Sequence, residues 1–490
     1  MTVPIVPGFH PDPSICRVGD TYYLANSSFE YVPGVPIRRS ADLVSWELVG
    51  HALTRPSQLP PSDGAANTGI YAPTLRHHDG RFHLVTTNIL EAHRGHLIVT
   101  AEDPAGRWSD PVHVAGTDGI DPDLCWDDAG VCHLTWTSFR PELPGIASAP
   151  IDPATGAMLG EPRLLWNGTG LAAPEGPHLY RVDGWWYLLL AEGGTERGHA
   201  VTVARARTLE GPYEPAPANP ILTHRSTTHP VQNTGHADLV ERPDGSWAMV
   251  YLGVRPRGKT PQFHVNGRET FLAGVDWVDG WPVVAEDRFT ISPADTGFTD
   301  GFATAELHPR WVAPGVSPRT DWAGPGELNL TGHLLTRALD EHWTAVARLD
   351  VSRGTAAFAV RIDERHWYGL TADGTAVTAT LAIGPAVHRA ATVAAGPRVS
   401  LRIRAIRPPA SGPFREAAEP DLIELSILDD DGRALVLGSF DGRYLSTEVA
   451  AGFTGRMIGV QVVDGTAALR EFRYSPGEAA SDVAKAVSPD

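Results

Sequence analysis

The chain has 490 residues, more than one hydrophobic core ordinarily organises, so two domains are expected. Its formal charge of −18, from 40 basic and 58 acidic side chains, argues against nucleic acid and anionic membranes as partners. No apolar run approaches the roughly 18 residues of a membrane span. Met1-Thr-Val-Pro lacks the basic start and apolar core of a secretory signal. Cys16, Cys125 and Cys132 form an odd set that reads as buried thiols, and together these features predict a cytoplasmic protein.

Along the chain one pattern recurs five times: GFHPDPSICRVGDTYYLANSS (Gly8–Ser28), TGIYAPTLRHHDGRFHLVTTN (Thr68–Asn88), GIDPDLCWDDAGVCHLTWTS (Gly119–Ser138), AAPEGPHLYRVDGWWYLLLAEGG (Ala172–Gly194) and TGHADLVERPDGSWAMVYLG (Thr234–Gly253). Each has a Gly- or Pro-flanked signature, a short apolar run, an Asp/Gly turn and an aromatic-rich run, which is a β-hairpin. Between the copies lie further β-branched runs with turns, such as Ile37–Gly50 and Val201–Pro215. Helix-period patterns are almost absent, and 42 Pro with 50 Gly would break long helices. The signature residues Asp12, Tyr71, Asp121, Glu175 and His236 are spaced by 59, 50, 54 and 61 positions. About four strands per unit at that period predict an all-β fold, a five-bladed β-propeller over residues 1–295.

SPADTGF and its neighbours, around residues 291–300, read as a linker. Beyond it, runs such as HWTAVARLDV, RVSLRIRAI, DLIELSIL and RMIGVQVV alternate apolar and polar at period two, predicting an antiparallel β-sandwich over 300–475. Residues 476–490 lack apolar periodicity and are expected to be a disordered tail.

If the first strand of each blade lines the axis, the five signature residues meet at one mouth. Asp is a leading turn residue, so Asp12 or Asp121 alone would be read as a turn former. Three acids in a shared register point instead to acid and base chemistry. Inverting hydrolysis of a glycosidic bond needs one carboxylate to activate water and one protonated carboxyl to protonate the departing oxygen. Asp12 and Glu175, two blades apart, suit those roles, and a third acid, Asp121, suits raising the pKa of Glu175. No cofactor motif is present.

HPDPS with VGDTYYL, GIDPDL, and EGPHLY followed by AEGGT closely resemble glycoside hydrolase family 43, the β-xylosidases and α-L-arabinofuranosidases. GRET, DGRYLSTE and GFTG resemble the branch whose propeller carries a concanavalin-like β-sandwich. That resemblance implies Asp12 as general base, Glu175 as general acid and Asp121 as the residue that tunes and orients the acid. It places Arg268 at the sugar hydroxyls, where it otherwise reads as a partner of Glu269. Phe29, Tyr71 and Ala72 become walls of the sugar pocket, although many relatives carry Trp where Tyr71 stands. His236, otherwise a satisfied buried histidine, falls in the central channel, where some members hold a cation, often Ca²⁺. Phe453 resembles a residue closing the leaving-group side, with a sandwich-core aromatic as the alternative.

The resulting expectation is an inverting exo-acting glycosidase that takes terminal β-1,4-linked xylose or α-L-arabinofuranose from xylo-oligosaccharides, with no cofactor required. An invertase-type retaining hydrolase is the rival, but its Asn-Asp-Pro-Asn opening and Glu-Cys acid are missing. A catalytically silent sugar-binding propeller is the other, and it would have no use for three inward acids. The sugar preference and the oligomeric state, homo-oligomer included, are not set by the sequence.

Overall fold

The computed structural model describes residues 3–258, 261–408 and 420–477. The chain folds as two compact units. The first comprises Met1–Pro256, Gly267–Ala294 and Val312–Ser317, and the second Arg257–Asn266, Asp295–Trp311 and Pro318–Asp490. The division is therefore not a single cut. Ala313–Pro314 returns to pair with Tyr31–Val32 within the first unit, a hydrogen-bonded excursion that no local sequence pattern announces.

Among the described residues, the first unit has, besides that two-stranded pairing, five antiparallel sheets in chain order. Their first two strands are Ser14–Val18 with Thr21–Ala25, Thr74–His78 with Arg81–Thr86, and Gly119–Trp126 with Cys132–Ser138. Glu175–Val182 with Trp185–Glu192 and Gln232–Glu241 with Trp247–Val254 complete the set. Each is the expected hairpin, and two outer strands complete four of the sheets, while the third sheet carries three.

Both faces of each sheet are apolar because successive side chains alternate and each face meets a neighbouring blade. Leu75, Leu84 and Val99 of blade two pack with Ala25, Ile37 and Leu53 of blade one, while Val85 and Ile98 pack with Leu124 and Leu134 of blade three. Leu179 and Leu188 pack with Cys125 and Ile146, and Leu189 and Val203 pack with Leu239 and Met249. Ile15 and Leu24 then join Val240, Val250 and Leu272, so blade five packs on blade one and the ring closes as a five-bladed propeller. The start of the chain is fastened by Ile5 N–H, which donates to Thr270 O of blade five (2.9 Å).

The second unit is an antiparallel β-sandwich built on two long strands, Trp343–Arg361 and Met457–Pro476, which pair along their length. The Trp343–Asp350 half also pairs with Arg398–Ile406, and the Ala356–Arg361 half with His366–Ala372. Register shifts fall between these halves, so each long strand passes from one layer to the other. Leu401, Ile403, Phe358, Leu370 and Phe472 share one core between the layers. Pro476 ends the last strand, and the tail expected from there lies outside the described residues after 477. Cys16, Cys125 and Cys132 are buried free thiols. Among the described residues no helix is long and apolar enough to cross a membrane.

Candidate active site

The five signatures do not superpose residue for residue. Strand pairing aligns Ser14, Thr74, Asp123, His178 and Asp238, each the last residue of a tripeptide: Asp12-Pro13-Ser14, Ala72-Pro73-Thr74, Asp121-Pro122-Asp123, Gly176-Pro177-His178 and His236-Ala237-Asp238. Asp12, Ala72, Asp121, Gly176 and His236 therefore share a register, whereas Tyr71 and Glu175 stand one residue earlier. The expectation of a common position for all five signature residues is corrected accordingly.

In blades three, four and five a β-bulge crosses this tripeptide, placing three steps of the first strand opposite two of the second. Such a bulge re-aims a side chain at the end of a strand. The backbone at Asp12, Asp121 and His236 is left-handed, with φ of 51°, 55° and 47°. Asp and His tolerate that region better than most residues. In blade four the position is Gly176, at φ 58°, and a Cβ there would lie 2.7 Å from His236 Nε2. Glycine is thus required both by the backbone and by the histidine ring packed on it.

Around this bulge the catalytic candidates gather in the first unit, nearly all buried. Asp12 accepts a hydrogen bond from Ser27 Oγ (2.5 Å), pairs with Arg268 Nη1 (3.1 Å) and lies 3.3 Å from His236 Nδ1. Burial alone would raise its carboxyl, but Arg268, His236 and Ser27 together hold it below the usual range. Glu175 is treated oppositely. Burial and the Asp12 carboxylate push it up to about 7 against the pull of Arg268. Asp121 accepts from Gly176 N–H (3.2 Å), and burial, Glu175 and Asp12 push it well above its ordinary value. The proton thus belongs to the Asp121–Glu175 pair and not to Asp12. Burial lowers His236 to about 4, so its imidazole is neutral at pH 7.

Arg268 also donates to Thr195 Oγ1 (3.0 Å) and lies over the Phe29 ring, 5.6 Å from its centroid. Phe29 contacts Tyr71 with ring centroids 5.1 Å apart, and the Tyr71 hydroxyl donates to Asn67 O (2.9 Å). Ala72 is buried beside them in sequence. Phe453 belongs to the second unit and is 36 % exposed, so it is not one of that unit's core aromatics.

Three groups escaped the sequence reading. Ser27 and Thr195 lie just beyond the second strands of blades one and four, Ser27 inside its repeat and Thr195 one residue past its own, with no chemical signature of their own. The third is a ring two residues beyond the bulge, where Arg76 pairs with Asp123 (2.8 Å) and Asp238 (2.8 Å) and meets His178 Nδ1 (2.9 Å). The tripeptides, four of them Pro-centred, once aligned would have found its Asp123, His178 and Asp238.

This ring bears on the cation the resemblance allows. Ca²⁺ takes six to eight oxygen ligands. Asp238 already accepts from Ser14 Oγ, Ile15 N–H, Tyr180 Oη, Leu239 N–H and Arg76, and Asp123 from Leu179 N–H and Arg76. Asp238 and Asp123 are thus engaged with a guanidinium, and a cation beside His236 would draw its oxygen ligands from elsewhere.

The model of glycosyl hydrolases family 43 matches residues 1–282. A non-reducing end alpha-L-arabinofuranosidase of Bacteroides ovatus is 39 % identical over 402 residues, 75 % of this chain and 74 % of that protein. A xylosidase/arabinosidase of Butyrivibrio fibrisolvens is 47 % identical over 296 residues, and there the alignment spans just over half of either chain, 57 % of this one and 56 % of the relative. Among solved structures, a xylan beta-1,4-xylosidase from Bacillus halodurans C-125 superposes with a TM-score of 0.86 at 28 % identity, covering 97 % of this chain and all of that one. The Bacteroides ovatus xyloglucan PUL GH43B structure gives 0.85 at 33 % identity, covering 97 % and 99 %. On the family match and these relatives, the chain belongs to glycosyl hydrolases family 43 and is a glycosidase.

Proposed function

We propose that this glycosidase is an inverting, exo-acting enzyme that releases terminal α-L-arabinofuranose or β-1,4-linked xylose from xylo-oligosaccharides. The observation that carries the reading is the opposite treatment of two carboxyls, Asp12 buried and Glu175 half-buried: Asp12 is held ionised while Glu175 is held protonated towards pH 7. A pair driven apart in this way assigns base and acid.

In the proposed reaction the Asp12 carboxylate takes a proton from a water that attacks the anomeric carbon. Glu175 gives its proton to the departing glycosidic oxygen, and the bond breaks through an oxocarbenium-like transition state. Asp121, sharing the proton, keeps Glu175 from ionising and fixes its neighbourhood through Gly176 N–H. Arg268 serves twice, holding Asp12 and presenting further guanidinium donors to sugar hydroxyls. Phe29 and Tyr71 offer apolar faces to the ring. Both sugar specificities are printed in the names of the relatives, and the "non-reducing end" of the first supports release from a chain end.

Assays on p-nitrophenyl α-L-arabinofuranoside and β-D-xylopyranoside, followed by proton NMR of the freshly released sugar, test the reading. The expected result is turnover of at least one with the anomer inverted. A retained anomer overturns the mechanism, and turnover of neither overturns the substrate class.

A further inference from the structure

Away from the carboxyl site, the crossover from blade four to blade five carries two histidines, His224 and His229, and Glu286 follows the last strand of blade five. One ligand atom from each of these three lies within 4.8 Å of the others. The two rings are 3.8 Å apart between centroids and tilted by 40°.

Hydrogen bonding fixes how the His224 ring is protonated. His224 Nδ1 lies 2.8 Å and His229 Nδ1 3.1 Å from the same carbonyl, Val231 O. A carbonyl oxygen only accepts, so His224 Nδ1 carries its hydrogen and a neutral ring has its lone pair on Nε2. That Nε2 faces a carboxylate oxygen of Glu286 at 3.0 Å. Two lone pairs at that distance repel unless a cation lies between them, either a proton or a metal ion. His229 Nδ1 also lies 3.2 Å from the Val231 N–H, so it either donates to the carbonyl or accepts from the amide, and the tautomer with Nδ1–H is the one that offers Nε2 to a metal. Backbone carbonyls holding Nδ1–H are the usual outer support of a metal-ligating histidine. Glu286 has its own support, accepting from the Tyr251 hydroxyl (3.2 Å).

We propose that His224, His229 and Glu286 form a binding site for one divalent transition-metal ion of the zinc type, held by two imidazole nitrogens and a carboxylate oxygen. Imidazole and carboxylate together suit Zn²⁺, Co²⁺ or Ni²⁺ and not Mg²⁺ or Ca²⁺, which take oxygen ligands. Three protein ligands leave a fourth position for water. His224 is buried, whereas the Glu286 side chain is 34 % exposed, so an ion enters from the Glu286 side. The bound ion fastens the crossover to the outer edge of blade five, and its role is structural.

The test uses the full chain, stripped with chelator and dialysed. Titration with Co²⁺ should give one equivalent of binding with visible d–d absorption, and Zn²⁺ should displace it and raise the Tm. Ca²⁺ and Mg²⁺ should do neither. His229→Gln and Glu286→Gln, both at partly exposed positions, should abolish the absorption and the zinc-dependent shift while keeping the metal-free Tm near that of the parent. Tyr251→Phe should weaken the metal about tenfold or more. If the stripped protein binds no equivalent, or if His229→Gln binds as the parent does, the proposal is wrong. A proton then sits between His224 and Glu286, a plain ion pair that does not involve His229.

Discussion

Glu175→Gln probes the proton on the acid in two independent ways. Burial and the Asp12 carboxylate raise the Glu175 carboxyl from 4.5 to about 7, whereas in the unfolded chain it ionises near its ordinary value. Between those pH values the folded protein binds more protons than the unfolded chain. The stability associated with the protonated group is therefore full below pH 4.5 and is lost as pH rises through 7. At about 1.4 kcal/mol per pH unit, the folded state at pH 8 carries a penalty of about 3 kcal/mol for this one group. Glutamine has the same shape and never ionises, so the variant should exceed the parent in stability by about that amount at pH 8, and by little at pH 4.5. Urea denaturation of both proteins at the two pH values measures the difference. Kinetics supply the second arm: the variant should lose far more activity on xylobiose than on an aryl glycoside whose leaving group needs no proton. A stability difference that does not change with pH, or equal losses on the two substrates, would refute the assignment of the proton to Glu175.

Asp12→Asn should lower kcat by several orders of magnitude on every substrate, whatever the leaving group, with the fold retained by circular dichroism. Asp121→Asn leaves Glu175 as the only titrating carboxyl of the pair, so its last proton is lost at lower pH and the alkaline limb of the pH–rate curve should move downward; an unmoved limb with low activity would leave Asp121 only a positioning part. Gly176→Ala puts a Cβ 2.7 Å from His236 Nε2 at a φ of 58°; kcat should fall and the Tm should drop by several degrees, and a neutral result would show that the His236 ring gives way. Arg76→Met leaves Asp123 and Asp238 buried without their cation and should destabilise the protein by about 3–5 kcal/mol, with part of the loss recovered on adding Asp238→Asn.

The propeller was legible because its hairpins are local. Two apolar runs flanking an Asp/Gly turn, repeated five times, specify both the blade and the count, and the interblade clusters follow from apolar residues on both faces. Asp12, Asp121 and Glu175 were also legible, as acids recurring near the starts of the hairpins. The register was not. The recurrence suggested that Glu175 and Tyr71 occupy the position of Asp12, but the apolar pattern tolerates a one-residue offset, and only cross-strand pairing shows that these two stand one residue earlier. Arg76 and Asp123 were hidden for a different reason. A charged residue inside a strand reads as solvent-facing until its partners are known, and those partners, Asp238 and His178, come from blades far along the chain. The return of Ala313–Pro314 to blade one escaped in the same way, since two residues of edge pairing carry no periodicity.

The charges in the channel explain why an acid with a raised pKa exists there at all. Five carboxyls, from Asp12, Asp121, Asp123, Glu175 and Asp238, share it with two guanidinium groups, Arg76 and Arg268. Arg76 pairs with Asp123 and Asp238, five further donors reach those two carboxylates, and against burial Arg76 and His178 hold Asp238 well below the ordinary carboxylate range. Arg268, with His236 and Ser27, holds Asp12 ionised. Arg268 also pulls on Asp121 and Glu175, but burial and the neighbouring carboxyls outweigh it, and a buried carboxyl so placed takes up a proton in preference to remaining charged. The proton on the proposed general acid thus follows from burial beside the Asp12 carboxylate, which Arg268 does not offset. A substitution that brought a third cation near Glu175 would be expected to ionise it and silence the enzyme at neutral pH, even with every catalytic carboxyl in place.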